Sequence, residues 1–378
     1  MKQLQYKILT FFLIFTCVSF SQKKTVYKKS YETEGLSSIV LKTKNIPLQI
    51  LPSLDSKIHI NFDMEFNNYT KNEIKNEIKK LKISSKKDTK KIVFSLKSST
   101  LISQYSFSSY SGVRIRTNFS SNKKKKSPQE RKSKSEIIDQ IKINQLTKNV
   151  DAMVEIIKQV KNDKKAKRQK AFFVIMIPEH LTLIIDAKET RIVLAHKKTT
   201  SLSLKMIDGS FQGKEIINSI IDVNGGSLKI EKINGGKLNL KNATKNLIGE
   251  LKESNLKIET SKIEIGEVGK NVTIQDFNSE LFLYNFLPNF KEFNFTGEYS
   301  KIHFYEPTDD YGMTALGHNT TFHFDGNTVI SQPSKKNKKS KMMDRQPKKK
   351  NPSGNINFDL IHSIFYYPTS IIINKQTP

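Results

Sequence analysis

The chain has 378 residues, with 64 Lys and Arg against 36 Asp and Glu for a formal charge of +28, 36% hydrophobic residues, one cysteine and no tryptophan. The lone Cys17 excludes an intrachain disulfide, and P-loop, G-x-S-x-G and Rossmann fingerprints are absent, which removes the commonest nucleotide and acyl-transfer enzymes. The basic excess speeds association with polyanions in a salt-screened way and says nothing about fold, and a Lys- and Asn-rich coding bias is its competing explanation.

The first stretch, "MKQLQYKILTFFLIFTCVSFSQKK", has Lys2 and Lys7 ahead of the apolar run Ile8 to Phe20, with Ser19 and Ser21 at −3 and −1 before Gln22. This pattern predicts a signal peptide over 1–21, cleaved after Ser21. The run is too short to span a bilayer, which takes roughly 20 apolar residues. Lipid attachment at Cys17 would need a small residue just before it, and Phe15 and Thr16 stand there instead. Cleavage would leave a mature chain without thiols or a transmembrane span. It would be exported, whether periplasmic, outer-membrane-associated or extracellular, and would meet acidic polysaccharide and anionic lipid rather than chromosomal nucleic acid.

Residues 22–69 read as an N-terminal strand and cap region, with the alternating pairs Ile39/Leu41, Leu48/Ile50 and Ile58/Ile60. Pro47 and Pro52 are expected to keep it from pairing along both edges. An insert over 70–170 follows. In it, Thr70 and Glu73 are spaced as a capping box before Ile74, Ile78 and Leu81, which predicts a helix. Next come a strand at "KIVFSLKSS", a lysine-rich disordered segment "SSNKKKKSPQERKSK", a second helix opened by Ser133 and Glu136, and a strand at "AFFVIMIP".

From 171 to 305 the chain repeats a short alternating strand, a polar turn of about four or five residues and a second strand. First-strand pairs are Leu181/Leu183, Leu202/Leu204, Ile221/Val223, Leu238/Leu240, Leu256/Ile258, Val272/Ile274 and Phe293/Phe295, about 16 to 21 residues apart. Such a period with loose identity is that of a β-solenoid, whose coils need only inward apolar pairs and a turn that fits the corner. Gly209, Gly225, Gly226, Gly235 and Gly236 fall at expected corners, where positive φ suits glycine. An antiparallel meander is the alternative, since Asn-Gly is a hairpin signal, but turns such as "DAKET" and "ETSK" are not two-residue hairpin loops. The region 306–378 adds terminal strands around a Lys-rich loop, 331–354.

Chemical constellations are weak. His323 and Asp325 share a strand face and would need a third ligand to hold a metal; His303 and His318 sit singly beside aromatics. Asp309 and Asp310 read as a solvated turn. Charges on the repeat strands look scattered, and regular aromatic stacking partners for nucleic acid look absent, so nucleic acid is not the expected partner. No catalytic residue, metal or cofactor is expected. Candidate polyanion-binding residues lie in the lysine runs: Lys123, Lys124, Lys125, Lys126, Lys335, Lys336, Lys338, Lys339, Lys341, Arg345, Lys348, Lys349 and Lys350.

The strand-and-corner copies, the entry "VIMIPEHLTLIIDAKETRIVL" and the signal ending "SFSQ" resemble the adhesin-like β-solenoid repeat proteins of Bacteroidota cell envelopes, similar to the head region of autotransporter adhesins. The resemblance implies an all-β, right-handed parallel β-solenoid in the envelope and brings no catalytic residues. The expected function is an exported, non-enzymatic scaffold or adhesin-like surface. The alternative is a polysaccharide-active, lyase-like enzyme on the same scaffold, which facing Lys/Arg and Asp/Glu across three adjacent coils in a groove would favour.

Overall fold

The computed structural model describes residues 22–100, 102, 168–198, 200–324, 327–331 and 340–367. The expected signal peptide, the second helix and the lysine run 123–126 lie outside them. The described residues are mostly β-strand, with one helix among them.

The described residues fall in two compact units, one from 22–26, 63–80, 100, 102 and 168–171, the other from 27–62, 81–99, 172–198, 200–324, 327–331 and 340–367. The first holds the helix, α1 (Lys71–Lys79). The expected capping box is present: Glu73 N–H donates to Thr70 Oγ1 at 3.3 Å, and Thr70 N–H donates to Glu73 Oε2 at 3.0 Å. Ile74 is buried and Ile78 half-buried, as the apolar face requires. Leu81 is not helical; it opens a strand. Lys23 of β1 (Gln22–Glu32) pairs with Asp63 of β4 (Lys57–Asn67) at 3.3 Å in the same unit.

The second unit is built on parallel pairings that follow the repeat. Strands β8 (Thr182–Lys188), β9 (Arg191–Leu194) and β10 (Leu202–Ile207) lead into β11 (Ser210–Asn224), β12 (Ser227–Lys241) and β13 (Lys245–Glu259). Each of the last three is a second strand and the next first strand fused into one, bent at Asn218 (φ 46°), Gly235 (φ 81°) and Glu253 (φ 47°). Next come β14 (Lys262–Val268), β15 (Val272–Phe277), β16 (Glu280–Phe286), β17 (Lys291–Glu298) and β18 (Lys301–Phe304). Neighbouring copies lie parallel, so that Ile221, Leu238, Leu256 and Ile274 fall in one register column, all at most 2% exposed. Strict alternation drives this: apolar side chains fill one face and Lys, Asn and Glu the other.

The same register corrects the alignment read from the sequence. Leu204 stands beside Ile185 and Ile221, and Ser219 rather than Ile221 occupies the register position of Leu202. The copies are thus displaced by two residues, a slip that leaves every side chain on its face.

Corners between the two strands of a copy are two residues long, three at Asn242–Thr244, tighter than the four or five expected. Their first residue is left-handed in each of Glu189, Asp208, Gly225, Asn242, Thr260, Asn278 and Tyr299. Each donates its N–H to a neighbouring copy, as in Asn242 to Glu259 O at 3.0 Å and Thr260 to Phe277 O at 2.9 Å. The second corner residue is small. Gly226 has positive φ and no room for a Cβ against the Gly209 backbone, whereas Gly209 itself is held to glycine by the close Thr190 carbonyl and not by its φ. Further along the column, buried hydroxyls serve as acceptors: Ala243 N–H donates to Ser261 Oγ at 3.0 Å, Ser261 N–H to Ser279 Oγ at 3.1 Å, and Ser300 N–H to Ser363 Oγ at 3.0 Å. Backbone groups of a buried corner need such partners.

The two ends of this unit depart from chain order. Strand β2 (Ser38–Lys44) pairs with β8 on one side and with β6 (Lys91–Ser98) on the other; β3 (Leu48–Pro52) pairs with both β9 and β7 (Arg168–Ile177). Pro47 and Pro52 therefore do not leave this segment with an unpaired edge. Pro47 falls in the turn and Pro52 closes β3. Strand β5 (Leu81–Lys87) adds an antiparallel pairing to β6.

At the other end β19 (Gly312–His318) and β20 (Thr321–Phe324) form a copy that the sequence reading missed, with its own left-handed Asn319 and buried Thr320. It is not adjacent to β17 and β18. The last strands, β23 (Gly354–Ile361) and β24 (Ile364–Tyr367), enter between them: β23 pairs with β17 and β19, and β24 with β18 and β20. The core there is aromatic, with Phe358 packed on Phe293, Phe295, Phe304 and Phe365 at centroid distances of 4.9–5.8 Å. Two antiparallel strands, β21 (Asn327–Ile330) on β20 and β22 (Ser340–Arg345) on β19, complete the pairings.

Candidate functional site

The outward positions of β14, β16, β18, β24 and β20 form two rows. One reads Lys262, Glu280, Lys301, Ile364, Thr321 in register, and the other Glu264, Phe282, His303, Tyr366, His323. Neighbouring strands lie about 4.8 Å apart, and the rings take up that spacing by stacking. Phe282 and His303 are 4.1 Å apart with planes 1° from parallel; His303 and Tyr366 are at 4.8 Å and 6°; Tyr366 and His323 are at 4.7 Å and 10°. Tyr284 stacks on Tyr305 alongside, at 5.3 Å.

The charged row neutralises itself in part. Glu280 accepts from Lys262 at 3.1 Å and lies 3.5 Å from Lys301 and 3.3 Å from His303 Nε2. Burial works to raise the Glu280 carboxyl, but Lys262, His303 and Lys301 outweigh it and hold it below the usual carboxylate range. Burial lowers the His303 imidazole, and Glu280 only partly offsets this. Tyr284 is pushed up to about 12 by burial and by the Glu264 carboxylate to which it donates at 3.2 Å. The Lys262 ammonium also sits 4.6 Å over the Phe282 ring, and that of Lys301 5.6 Å over Tyr366.

A shallow open groove runs along the corner beside these rows, lined by Thr260, Lys262, Asn278, Glu280, Tyr299 and Lys301 among others. A third aromatic set borders it: Phe277 (46% exposed) lies against Tyr299 (52% exposed), which stacks on His362 at 5.3 Å. Three corner-proximal rows thus present aromatic, ammonium and carboxylate groups together.

This face corrects two readings of the sequence. Outward charges are not scattered here, because Lys262, Glu280 and Lys301 align across three neighbouring strands. Outward aromatics do stack. Their partner Tyr366 comes from the chain end and is inserted by β24, so no linear window contains the stack. The only signal available was the alternation in "IFYY" and "KIHFYE".

Of the candidate polyanion-binding residues, Lys123 to Lys126, Lys335, Lys336, Lys338 and Lys339 lie outside the described residues. Lys341 pairs with Asp344. Arg345 is engaged internally: its guanidinium pairs with Glu306, hydrogen-bonds Tyr311 Oη at 3.0 Å and lies 4.0 Å over the fully buried Tyr311 ring. Lys348 and Lys349 have exposed side chains, and their backbone N–H groups donate to the Asp310 carboxylate at 3.1 and 2.7 Å, which lowers its pKa. Lys350 is exposed. None of these five residues stands in the stacked rows. His323 bonds Thr328 at 3.0 Å through Nδ1, while Asp325 lies outside the described residues. Among the described residues no three His, Cys, Asp or Glu side chains gather as a metal site. No helix among them is long and apolar enough to cross a membrane.

No protein-family model matches the chain, and no curated protein matches it. Among solved structures, a Clostridium sporogenes protein provisionally named for cell adhesion is similar at 11% identity over 93% of this chain and 100% of that one, with a TM-score of 0.19. A likeness at that score carries no argument about fold or role.

Proposed function

We propose that this chain is an exported, non-enzymatic envelope protein: a right-handed parallel β-solenoid whose outward face offers an adhesin-like binding surface. The observation that carries the reading is the stack Phe282–His303–Tyr366–His323 beside the row Lys262–Glu280–Lys301. Aromatic side chains on an outward sheet face leave apolar surface in contact with water, and a contiguous patch of that kind, rimmed by charge, is characteristic of an interaction site. Tyr284, Tyr299, Phe277 and Ile364, each at least 36% exposed, belong to it. The parallel register with offsets of 17 to 21 residues through the central copies supports the solenoid. Export rests on the signal features of residues 1–21.

The aligned Lys262, Glu280 and Lys301 also favour the lyase-like reading, which calls for a basic residue near carboxylates in a groove. Here Glu280 is already held by both ammoniums and by His303, an arrangement that suits a rigid recognition surface better than a base poised to take a proton. One experiment separates them. The mature chain and a His303→Ser/Tyr366→Ser variant are incubated with a panel of envelope and host polysaccharides, following retention and the ultraviolet absorbance of unsaturated products. The proposal expects retention of at least one polymer, weakened about tenfold in the variant, with no new absorbance. Unsaturated product that depends on Lys262 or Lys301 would establish the enzyme, and no retention at all would remove the binding surface.

A further inference from the structure

We infer that the rows on β13, β14, β16, β18 and β24 take a linear acidic polysaccharide, laid across the strands with its carboxylates on Lys245, Lys262 and Lys301. The inference rests on reading this face as a binding surface and assigns its ligand class.

The ring geometry decides what sort of ligand fits. Planes within 10° of parallel, at centroid spacings of 4.1–4.8 Å, make each ring cover the face of the next. Ring faces are therefore spent inside the stack, and what reaches the solvent is ring edge. Edges carry the positive end of the aromatic quadrupole, and His and Tyr add N–H and O–H groups there. A flat aromatic ligand, such as a nucleic-acid base, finds no ring face along this row to stack on. An oxygen-rich, anionic ligand finds donors or positive edges on β16, β18, β24 and β20, while on β14 this row carries the Glu264 carboxylate, already taken up by Tyr284.

The charge row agrees. Lys245 stands one step before the Asn246–Ile263 pair, as Lys262 does on the next strand, and Lys262, Glu280 and Lys301 follow in register. Three ammoniums thus share a row with one carboxylate, and Lys245 is exposed. Strands are about 4.8 Å apart, close to the length of one extended pyranoside unit. A uronate chain across the strands places a sugar on each, and the groove edge supplies Thr260, Asn278 and Tyr299 for its hydroxyls. The gap at Glu280 is a register mark, because a carboxylate opposite it is repelled, so a polymer with a neutral sugar at that step fits better than a uniform polyuronate.

Isothermal titration of the full mature chain tests this, with an oligogalacturonate, an oligouronate interrupted by a neutral sugar after every second uronate, a neutral β-glucan of equal length, polyphosphate and a single-stranded oligonucleotide, each at two ionic strengths. Variants are Lys245→Gln/Lys262→Gln/Lys301→Gln, the single exposed Lys245→Gln, and Lys348→Gln/Lys349→Gln/Lys350→Gln, with circular dichroism confirming the fold. The expected result is salt-sensitive binding of the uronate oligomers, the interrupted one tighter, weakened about tenfold or more by the triple row variant, measurably by Lys245→Gln, and changed within about twofold by the loop variant. Equal, salt-insensitive binding of the neutral glucan would overturn the acidic class while leaving the surface reading in place. Preference for polyphosphate or the oligonucleotide would overturn the polysaccharide. No binding by any probe, or uronate binding unchanged in the row variants, would overturn the assignment; the panel retention described above then tells whether the face binds anything.

Discussion

Asp276 is an anomaly in an otherwise apolar column. It stands inward between Ile258 and Gly297, 7% exposed, where neighbouring copies carry Leu240 and Leu360. Burial pushes its carboxyl up despite hydrogen bonds from Ser279 and Ser300. A raised carboxyl means that the folded chain holds this proton more tightly than the unfolded one. The associated stability is full below the unfolded value near 3.8 and is lost as pH rises through the folded value. Whatever its stability at pH 4, Asp276→Asn is thus expected to gain on the native chain between pH 4 and pH 7, because only the native residue must ionise inside the core. Denaturant midpoints at three pH values check this, and a difference that stays constant with pH contradicts it. Asp276 was legible as an outlier, since "VTIQDF" breaks the apolar alternation at its fifth residue. Its Ser300 partner was not, because Ser300 comes from a different copy.

The corner governs the elements. Asp208, Asn242, Asn278 and Asn319 are residues that tolerate the left-handed region, and the sequence announces them as turns; Glu189, Thr260, Tyr299 and His362 take the same conformation with no such propensity. Those four are held there by hydrogen bonds to the next copy, a cause no local window contains. Strand faces were legible for the opposite reason, since alternation is local, and even the two-residue slip in register left inside and outside intact. Where the backbone itself packs, tolerance ends. Gly226→Ala is expected to cost about 2–4 kcal/mol, because it adds left-handed strain to a Cβ that meets the Gly209 backbone. Asn242→Gly, at an equivalent corner with open tolerance for positive φ, should change stability by about 0.5 kcal/mol or less. Thermal or denaturant unfolding of the pair distinguishes a backbone contact from a simple turn preference, for which the two variants would differ little.

At the scale of the molecule, the entry of β23 and β24 between β17/β18 and β19/β20 creates the outward aromatic row. Phe282, His303, Tyr366 and His323 come from strands whose order in space is not their order in the chain. Sequence reading was therefore drawn to the lysine runs, which are contiguous, and passed over a surface that exists only after the last strands insert. The same insertion ties the chain end into the fold through the Phe358 cluster. The central claim is that this composite face, and not a basic segment, is where the protein meets its ligand. Hydroxyl-radical footprinting of the full mature chain with and without a bound acidic oligosaccharide tests it most directly, because the oxidisable side chains are well placed: Tyr284, Tyr299, His303, Tyr305 and Tyr366 on the face, and Met342 and Met343 on β22 beside the lysines. The account predicts protection of the aromatic set across peptides from 280 to 305 and 364 to 367, with Met342 and Met343 unchanged. Protection of the two methionines with the aromatic set unchanged would contradict it and return the ligand to the lysine-rich segment.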